Sequence, residues 1–306
     1  MLEKILVTGG AGFIGSNFVH HVLENHDNVF LYNLDALTYA GNRENLQKLP
    51  DPSRHVLIES DICDQARVEK LLREQEIHTI VNFAAETHVD RSILGASQFI
   101  WTNIQGTYSL LEAARKVWLD ENSLGEADCR FLQISTDEVY GSLGPDDPPF
   151  CETTPYAPNS PYSASKASGD FLVRAYQQTY GLPTLTTHCS NNYGPFQYPE
   201  KLIPVIILNA IEGKPLPIYG DGMQIRDWLY VGDHVRALWM VLENAQPGSV
   251  YTIGAEIQPP NIEIIDRVCA LLDERLPESQ YRPFSSLEEF VTDRKGHDRR
   301  YAVDSS

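Results

Sequence analysis

The sequence predicts an α/β protein in which a doubly wound parallel sheet carries a smaller, interleaved C-terminal lobe. Strand-like segments alternate with helix-like segments as far as Gly181, and this alternation is typical of a parallel sheet covered on both faces. Beyond Gly181 the order is irregular, and proline and glycine are frequent between Tyr193 and Gly222. The expected sheet domain comprises residues 1–183 with 226–255 returning to it, and the expected lobe comprises residues 184–225 and 256–306.

Short apolar runs define the strands, and longer segments between them define the helices. The predicted strands are residues 5–8, 29–34, 56–59, 79–83, 130–135 and 184–188. The predicted helices are residues 16–24, 65–73, 103–117, 163–179, 231–243 and 262–274. Because ligands bind at the carboxyl ends of the strands in such sheets, we expect the functional site at that edge, facing the lobe.

The composition argues against several classes of partner. Lys and Arg total 24 against 42 Asp and Glu, a formal net charge of -18, and such a surface repels the phosphates of nucleic acids. An anionic substrate must then be held by a few local Arg or Lys side chains. No apolar run approaches the ~20 residues of a membrane span, and the strand pattern from Lys4 leaves no room for a targeting peptide. The five cysteines are scattered and lack metal-ligand spacing, so we expect reduced thiols, no metal and a cytoplasmic protein.

A glycine-rich turn follows the first predicted strand. The run Thr8-Gly9-Gly10-Ala11-Gly12-Phe13-Ile14-Gly15 leads from that strand into a helix. Glycines at 9, 12 and 15 allow a tight turn, close approach of a pyrophosphate and close helix packing, and the helix start attracts the anion. Such a triplet alone indicates no more than a strand–helix turn. With the strand before it, the helix after it and Asp35 beyond, it predicts a Rossmann-type dinucleotide site.

Asp35 ends the second predicted strand and indicates which dinucleotide binds. Its carboxylate can accept hydrogen bonds from the adenosine ribose and repels a 2′-phosphate. No arginine flanks it, so we predict NAD as the cofactor. Asp61 and Ile62, after the next strand, stand where the adenine could be held. Asp61 could instead be the N-cap of the following helix.

A tyrosine and a lysine lie one turn apart at the start of a predicted helix. The spacing in Tyr162-Ser163-Ala164-Ser165-Lys166 places Tyr162 and Lys166 on one face. An ammonium and a positively charged nicotinamide would lower the phenol pKa from about 10. Tyr162 could then act as a base toward an alcohol while hydride leaves its carbon. The alternative is an ordinary tyrosine and lysine on the protein surface near a helix start. The position of the pair after an α/β half that contains the glycine turn favours the catalytic interpretation.

Two adjacent carboxylates follow the fifth predicted strand. Thr136-Asp137-Glu138 stand at its carboxyl end, where the ligand is expected. A plain alcohol dehydrogenase has no use for both acids, and burying a pair of charges is costly. In a dehydratase, one acid protonates a leaving hydroxyl and the other removes a proton from carbon. The alternative is a pair of solvated loop acids.

Together with further motifs, these motifs extend over nearly the whole chain. Besides residues 8–15, 135–141 and 162–167, they comprise residues 84–92, 190–195, 224–228 and 296–300. In this combination the chain resembles the dTDP-glucose 4,6-dehydratases of the extended short-chain dehydrogenase/reductase family. The glycine turn and the Tyr–Lys pair mark the superfamily, and the Asp-Glu pair marks the dehydratases within it.

The resemblance implies a role for each catalytic residue. Tyr162 and Lys166 are the redox pair, and Thr136 hydrogen-bonds the sugar. Asp137 protonates the departing C6 hydroxyl, and Glu138 removes the C5 proton. The implied NAD site comprises Gly9, Gly12, Phe13, Ile14, Gly15, Asp35, Ala36, Leu37, Thr38, Asp61, Ile62, Ala84, Ala85, Thr87, Thr102, Tyr162, Lys166 and Asn192.

The resemblance also implies the contacts to a nucleotide-sugar substrate. They are Thr87, Thr136, Asn191, Lys201, Leu202, Pro217, Ile218, Tyr219, Arg226, Asn261, Arg294 and His297. Arg226 could clamp a diphosphate with its forked donors, or it could pair with Asp227 or Asp233. Lys295 replaces a proline of the family, and we expect it to loosen the nucleotide loop. The chain ends at Ser306, where the resemblance implies a few dozen further residues that would complete the lobe.

Rival functions remain open at this point. A UDP- or GDP-linked 4,6-dehydratase and a nucleotide-sugar 4-epimerase share the family's motifs, but an epimerase has no use for the Asp-Glu pair. A non-catalytic NAD-binding sensor usually loses the tyrosine or the lysine, and both are present. Thymine and uracil differ by one methyl group, which is worth only ~1–3 kcal/mol of discrimination. The resemblance implies a homodimer, with helices 103–117 and 163–179 as plausible packing faces.

Overall fold

The computed structural model describes residues 2–124, 128–293 and 297–306. Strands occur throughout these ranges, and all pair in parallel. The strands are β1 (Lys4–Thr8), β2 (Phe30–Asp35), β3 (His55–Glu59), β4 (Thr79–Asn82), β5 (Arg130–Thr136), β6 (Thr184–Cys189), β7 (Asn191–Tyr193), β8 (Leu216–Tyr219), β9 (Trp228–Tyr230), β10 (Val250–Ile253) and β11 (Glu288–Val291).

Helices connect most of these strands. The α-helices are α1 (Phe13–Asn25), α2 (Gln65–Glu74), α3 (Val89–Leu94), α4 (Ser97–Phe99), α5 (Thr107–Ala114), α6 (Pro161–Tyr180), α7 (Leu202–Glu212), α8 (Val231–Asn244) and α9 (Asn261–Arg275). The π-helical segments Ile100–Gly106 and Arg115–Asp120 flank α5, and 3₁₀ turns occupy Arg43–Leu46, Pro52–Arg54, Asp137–Tyr140 and Phe284–Leu287. In the described part of the chain, no helix has the length and apolar character needed to cross a bilayer.

The central sheet confirms the predicted doubly wound fold. Within the described ranges it has seven strands in the order β10-β6-β5-β4-β1-β2-β3. The strand order reverses between β1 and β4, because β2 and β3 lie on one side of β1 and the later strands on the other. The loops that leave β1 and β4 therefore diverge and open a crevice at the carboxyl edge of the sheet.

Two apolar layers cover the faces of this sheet. On one face, Phe18 of α1 and Leu238 of α8 pack against the strands and are fully buried. On the other, Leu72 of α2, Leu110 of α5 and Val173 of α6 form the second layer. This packing fixes α1 and α6, whose first turns both border the crevice.

The lobe is built from α7, α9 and the small β8–β11 sheet around its own core, which includes Ile206, Leu216 and Phe284. The segment before the C-terminus returns to the sheet domain, where Phe150 N–H donates to the Ala302 carbonyl at 2.8 Å. Helix α7 was not predicted from the sequence, because Pro204 lies inside its apolar run. Pro204 lies in the first turn of α7, where a missing N–H breaks no intrahelical hydrogen bond.

Candidate active site

A cavity of about 640 Å³ lies at the carboxyl edge of the sheet, between the sheet and the lobe. Its volume falls in the range of about 300–1,000 Å³ that is usual for ligand sites. Among the described residues, every predicted site residue except Leu37 and Ile218 lines it. The Ile218 side chain is buried in the lobe core and does not line the cavity. Arg294 and Lys295 lie outside the described residues.

The turn between β1 and α1 has the close packing that a bound pyrophosphate requires. Gly9 has φ +69°, and a Cβ there would lie 2.7 Å from the backbone nitrogen of Ala84. A Cβ on Gly15 would overlap the carbonyl oxygen of Gly9. Helix α1 begins at Phe13 without a side-chain cap, so its first N–H groups are available at the cavity wall.

Asp35 is held at the cavity edge by the backbone. Its Oδ2 accepts from the N–H of Ala11 and its Oδ1 from the N–H of Leu37, both at 2.8 Å. Burial raises the pKa of Asp35. Leu37 thus orients the acid but does not line the cavity. The carboxylate and the open glycine turn together fit the adenosine and pyrophosphate of NAD.

Asp61 lies at the same end of the cavity, after β3. Its Oδ1 accepts from the N–H of Cys63 at 2.8 Å. The N-cap of α2 is Asp64, which accepts from the N–H of Arg67. The interpretation of Asp61 as a helix cap is therefore wrong, and its position in the cavity wall is compatible with a contact to adenine.

Tyr162 and Lys166 enter the cavity from the first turns of α6. A capping box between Ser160 and Ser163 fixes the start of this helix. Lys166 is buried, and its Nζ donates to the carbonyl oxygen of Ile134 at 2.7 Å. Burial lowers the pKa of Lys166. The lysine therefore keeps a fixed place beside the tyrosine.

The predicted lowering of the Tyr162 pKa requires a bound nicotinamide, and the protein alone has the opposite direction of shift. Burial and the nearby charge of Glu138 raise the pKa of Tyr162 well above its ordinary value. The Thr136 hydroxyl bonds to Tyr162 and opposes this rise. Lys166 does not offset the rise, because its ammonium is directed at the Ile134 carbonyl.

The two acids lie at the end of β5, on the 3₁₀ turn Asp137–Tyr140. Thr136 Oγ1 accepts from the N–H of Glu138 and donates to Asp137 Oδ1, both at 3.3 Å. Asp137 is only 1% exposed, so the solvated-loop interpretation is wrong for it. Within the described ranges, its Oδ2 has no hydrogen-bond partner. Burial, and then the charge of Glu138, raise the pKa of Asp137 well above its usual range. Both effects favour the protonated form of Asp137, and Glu138 is half-buried beside it.

Arg226 also lines the cavity, and its charge acts on Asp137 to lower the pKa of that acid. Its guanidinium donates to the carbonyl oxygens of Ile225 (2.7 Å) and Asp298 (2.9 Å) and lies 4.3 Å from the ring centroid of Tyr301. The alternative prediction, an ion pair of Arg226 with Asp227 or Asp233, is wrong. Asp227 accepts from Ser190 and the backbone of Ala255 and Glu256, and Asp233 bonds to Arg236. No carboxylate among the described residues pairs with the Arg226 guanidinium, which leaves its charge for an anion.

The remaining predicted contact residues also line the cavity. Lys201 Nζ donates to the Thr87 carbonyl at 3.1 Å and so connects the lobe to the loop after β4. On β7, Asn192 Oδ1 lies 2.9 Å from Nδ1 of His234, whose pKa burial lowers to about 3. A neutral His234 can therefore donate to Asn192 and orient its amide. Also in the wall are Leu202, Pro217, Tyr219, Asn191, Asn261 and His297.

Several lining residues were missed by sequence reasoning. Cys189 ends β6, and the rule that ligands meet strand ends could have identified it. Tyr301 directly follows the 296–300 motif, and it lies under the Arg226 guanidinium. Glu86 and His88 lie in the 84–92 motif but were given no role, and Glu200 lies outside the motifs. They come together through long-range contacts, including a 3.6 Å approach of His88 to Glu200.

Comparisons with known proteins agree with this site. A family profile described as GDP-mannose 4,6 dehydratase matches residues 6–306. The dTDP-glucose 4,6-dehydratase of Neisseria meningitidis is 54% identical over 307 residues, which cover 100% of this chain and 86% of that protein. The chain belongs to the dTDP-glucose 4,6-dehydratase family.

This chain is similar in structure to both solved dehydratases and solved epimerases. A dTDP-glucose 4,6-dehydratase from Streptomyces venezuelae with NAD bound is 44% identical, with a TM-score of 0.86 over 99% of this chain and 88% of that one. A UDP-glucose 4-epimerase from Thermus thermophilus in complex with NAD is 28% identical, with a TM-score of 0.82 over 99% of this chain and 90% of that one. The fold is thus common to both activities, and the side chains of the cavity must distinguish them.

Proposed function

We propose that this protein is an NAD-dependent dTDP-glucose 4,6-dehydratase, a hydro-lyase that converts dTDP-glucose to dTDP-4-keto-6-deoxyglucose and water. The observation that carries the proposal is Asp137, buried next to Glu138 in the same cavity as Tyr162. Its burial raises its pKa, as a proton donor requires. A dehydration needs a proton donor and a proton acceptor near one sugar. A 4-epimerization needs neither of these carboxyl groups.

The glycine turn, Asp35 and Lys166 would hold NAD. Bound NAD would supply a hydride acceptor for C4 of the glucose and, once reduced, a hydride donor for C6. Lys166, fixed by the Ile134 carbonyl, lies where it can contact the nicotinamide ribose. The retained cofactor explains why the reaction needs no added reductant.

Side chains of the cavity would accept or donate the proton in each step. Tyr162 would take the C4 hydroxyl proton as a phenolate, which the positive charge of bound NAD would stabilise, and Thr136 hydrogen-bonds the phenol oxygen. The C4 ketone acidifies the C5 hydrogen, which Glu138 removes. Asp137 then protonates the C6 oxygen, which leaves as water. Two neighbouring acids do not both ionise readily, so one can serve as the acid and the other as the base.

The nucleotide would occupy the end of the cavity near the lobe. Arg226 and Lys201 supply positive charge for a diphosphate in an otherwise acidic protein of formal net charge -18. Tyr219 offers a ring face to the pyrimidine. Thymidine is proposed over uridine because the relatives that match this chain at 54% identity are named for dTDP-glucose. The product would be a precursor of deoxysugars such as rhamnose, made in the cytoplasm.

Product analysis tests this function. We expect purified protein, without added NADH, to convert dTDP-glucose into a keto sugar with an alkali-induced absorbance. UDP-glucose, tested side by side, should react more slowly, because it lacks the thymine methyl group. Formation of a galactose nucleotide, or of no product, would contradict the proposed function.

We further propose that the protein is a homodimer. Exposed apolar side chains gather on the neighbouring helices α3 to α6, among them Leu94 (89% exposed), Trp101 (53%) and Phe171 (58%). Patches of this kind usually mark association surfaces. Sedimentation should give twice the 34.5 kDa chain mass, and Phe171→Arg should dissociate the dimer. Phe290→Arg, at an equally exposed site on the lobe, is the control. A monomer at micromolar concentration would remove this proposal.

A further inference from the structure

A buried polar network lies behind the proposed catalytic residues. It joins Ser135 on β5, Asp170 on α6, His188 on β6, Tyr140 at the end of the acid-bearing turn, and Tyr156. The first four are 4% exposed or less, and Tyr156 is half-buried. Of the five, Ser135 alone lines the cavity. The mechanism above gives the other four no task.

The hydrogen bonds of this network form a continuous chain. Ser135 Oγ donates to Asp170 Oδ2 at 2.6 Å, and His188 Nε2 lies 3.3 Å from the same oxygen. The Tyr140 hydroxyl lies 2.8 Å from His188 Nδ1. With its proton on Nε2, His188 donates toward Asp170, which can only accept, and toward the Tyr156 hydroxyl at 2.8 Å, and its Nδ1 accepts from the Tyr140 hydroxyl. Burial raises the pKa of Tyr140, which therefore keeps the proton that it donates.

This chain connects the elements that carry the proposed catalytic side chains. Asp170 follows Lys166 by one turn of α6, and His188 is paired with Ser135 across β5 and β6. Tyr140 closes the turn that begins with Asp137. After it, Gly141 has φ +91°, and a Cβ there would lie 2.6 Å from the Ala157 carbonyl oxygen. The turn is thus clamped at its last residues, while its two acids face the cavity.

We propose that Tyr140, held by His188 and Asp170, is a positioning residue that sets the acid-bearing turn for the elimination step. The inference rests on the proposed dehydratase function. The Tyr140 ring packs against Phe150 and Tyr156, so the ring alone supplies packing. The hydroxyl orients the acid-bearing turn, because its hydrogen bond to His188 connects this turn to β6. Displacement of a catalytic group by 1 Å can cost about 100-fold in rate.

The test is Tyr140→Phe, which keeps the ring and removes the hydroxyl. We expect elimination to slow by about 10-fold or more while oxidation at C4 keeps its rate. Bound reduced nicotinamide should therefore build up during turnover, and the KM and NAD affinity should stay as in the unmodified protein. The absorbance is normalised to bound cofactor, so an unfolded fraction does not alter the result.

Tyr156→Phe is the matched control, because its hydroxyl lies 2.8 Å from Nε2 of the same His188 but its residue is not on the acid-bearing turn. It should leave the reduced fraction of bound cofactor unchanged. An unchanged fraction in Tyr140→Phe, or the same increase in both variants, would overturn the positioning role. If the unmodified protein makes no keto sugar, the proposed function fails instead, and the two failures are distinguishable.

Discussion

Replacing Asp137 by asparagine should stop the reaction after oxidation at C4. The amide keeps the size of the side chain but cannot donate the proton that the C6 oxygen needs. Turnover should fall by about 10²–10⁴-fold, the usual contribution of a general acid. Bound reduced cofactor and the 4-ketoglucose nucleotide should accumulate. Exchange of the C5 hydrogen with deuterated water should continue, because Glu138 remains.

Glu138→Gln is the paired variant, and it should separate the two acids. Oxidation at C4 should again proceed, but C5 exchange should be suppressed because the base is lost. Single-turnover absorbance of the reduced nicotinamide, together with mass spectrometry of the sugar in deuterated water, measures both effects. If both variants eliminate water at the unmodified rate, the acids are not catalytic and the assignment moves toward the epimerases.

Tyr162→Phe should block the reaction one step earlier. The variant should still bind NAD and substrate, but it should fail to reduce the cofactor, with a loss of about 10²–10⁴-fold. In single-turnover mixing, no absorbance of reduced nicotinamide should appear. Tyr176→Phe is the control, because Tyr176 is also a buried tyrosine of α6 and its hydroxyl bonds to Glu112, away from the cavity. Near-normal turnover in Tyr162→Phe would mean that another group takes the C4 proton.

Local sequence patterns were sufficient to predict the dinucleotide end of the site. The glycine turn and Asp35 depend on backbone geometry within one strand–turn–helix unit, and the unit folds as predicted. Tyr162 and Lys166 are likewise close in sequence. The parallel sheet brings their helix to the same edge as Asp137 and Glu138, which is why motifs far apart along the chain meet in one cavity.

Features that depend on packing could not be predicted in this way. The direction of the Tyr162 pKa depends on burial and on the charge of Glu138, neither of which is visible in a motif. Ile218 alternates with Pro217 along a short strand, and only the register of β8 against β11 turns it into the lobe core. The bonds among Tyr140, Asp170 and His188 span up to 48 residues of sequence.

The central claim is that hydride leaves C4 and returns to C6 of the same sugar while water departs. The most direct measurement uses dTDP-glucose carrying deuterium at C4, with the purified protein and no added cofactor. We predict a 4-keto-6-deoxy product that carries the deuterium in its C6 methyl group. Deuterium found again at C4 of an epimerized sugar, or a product without it, would contradict the account.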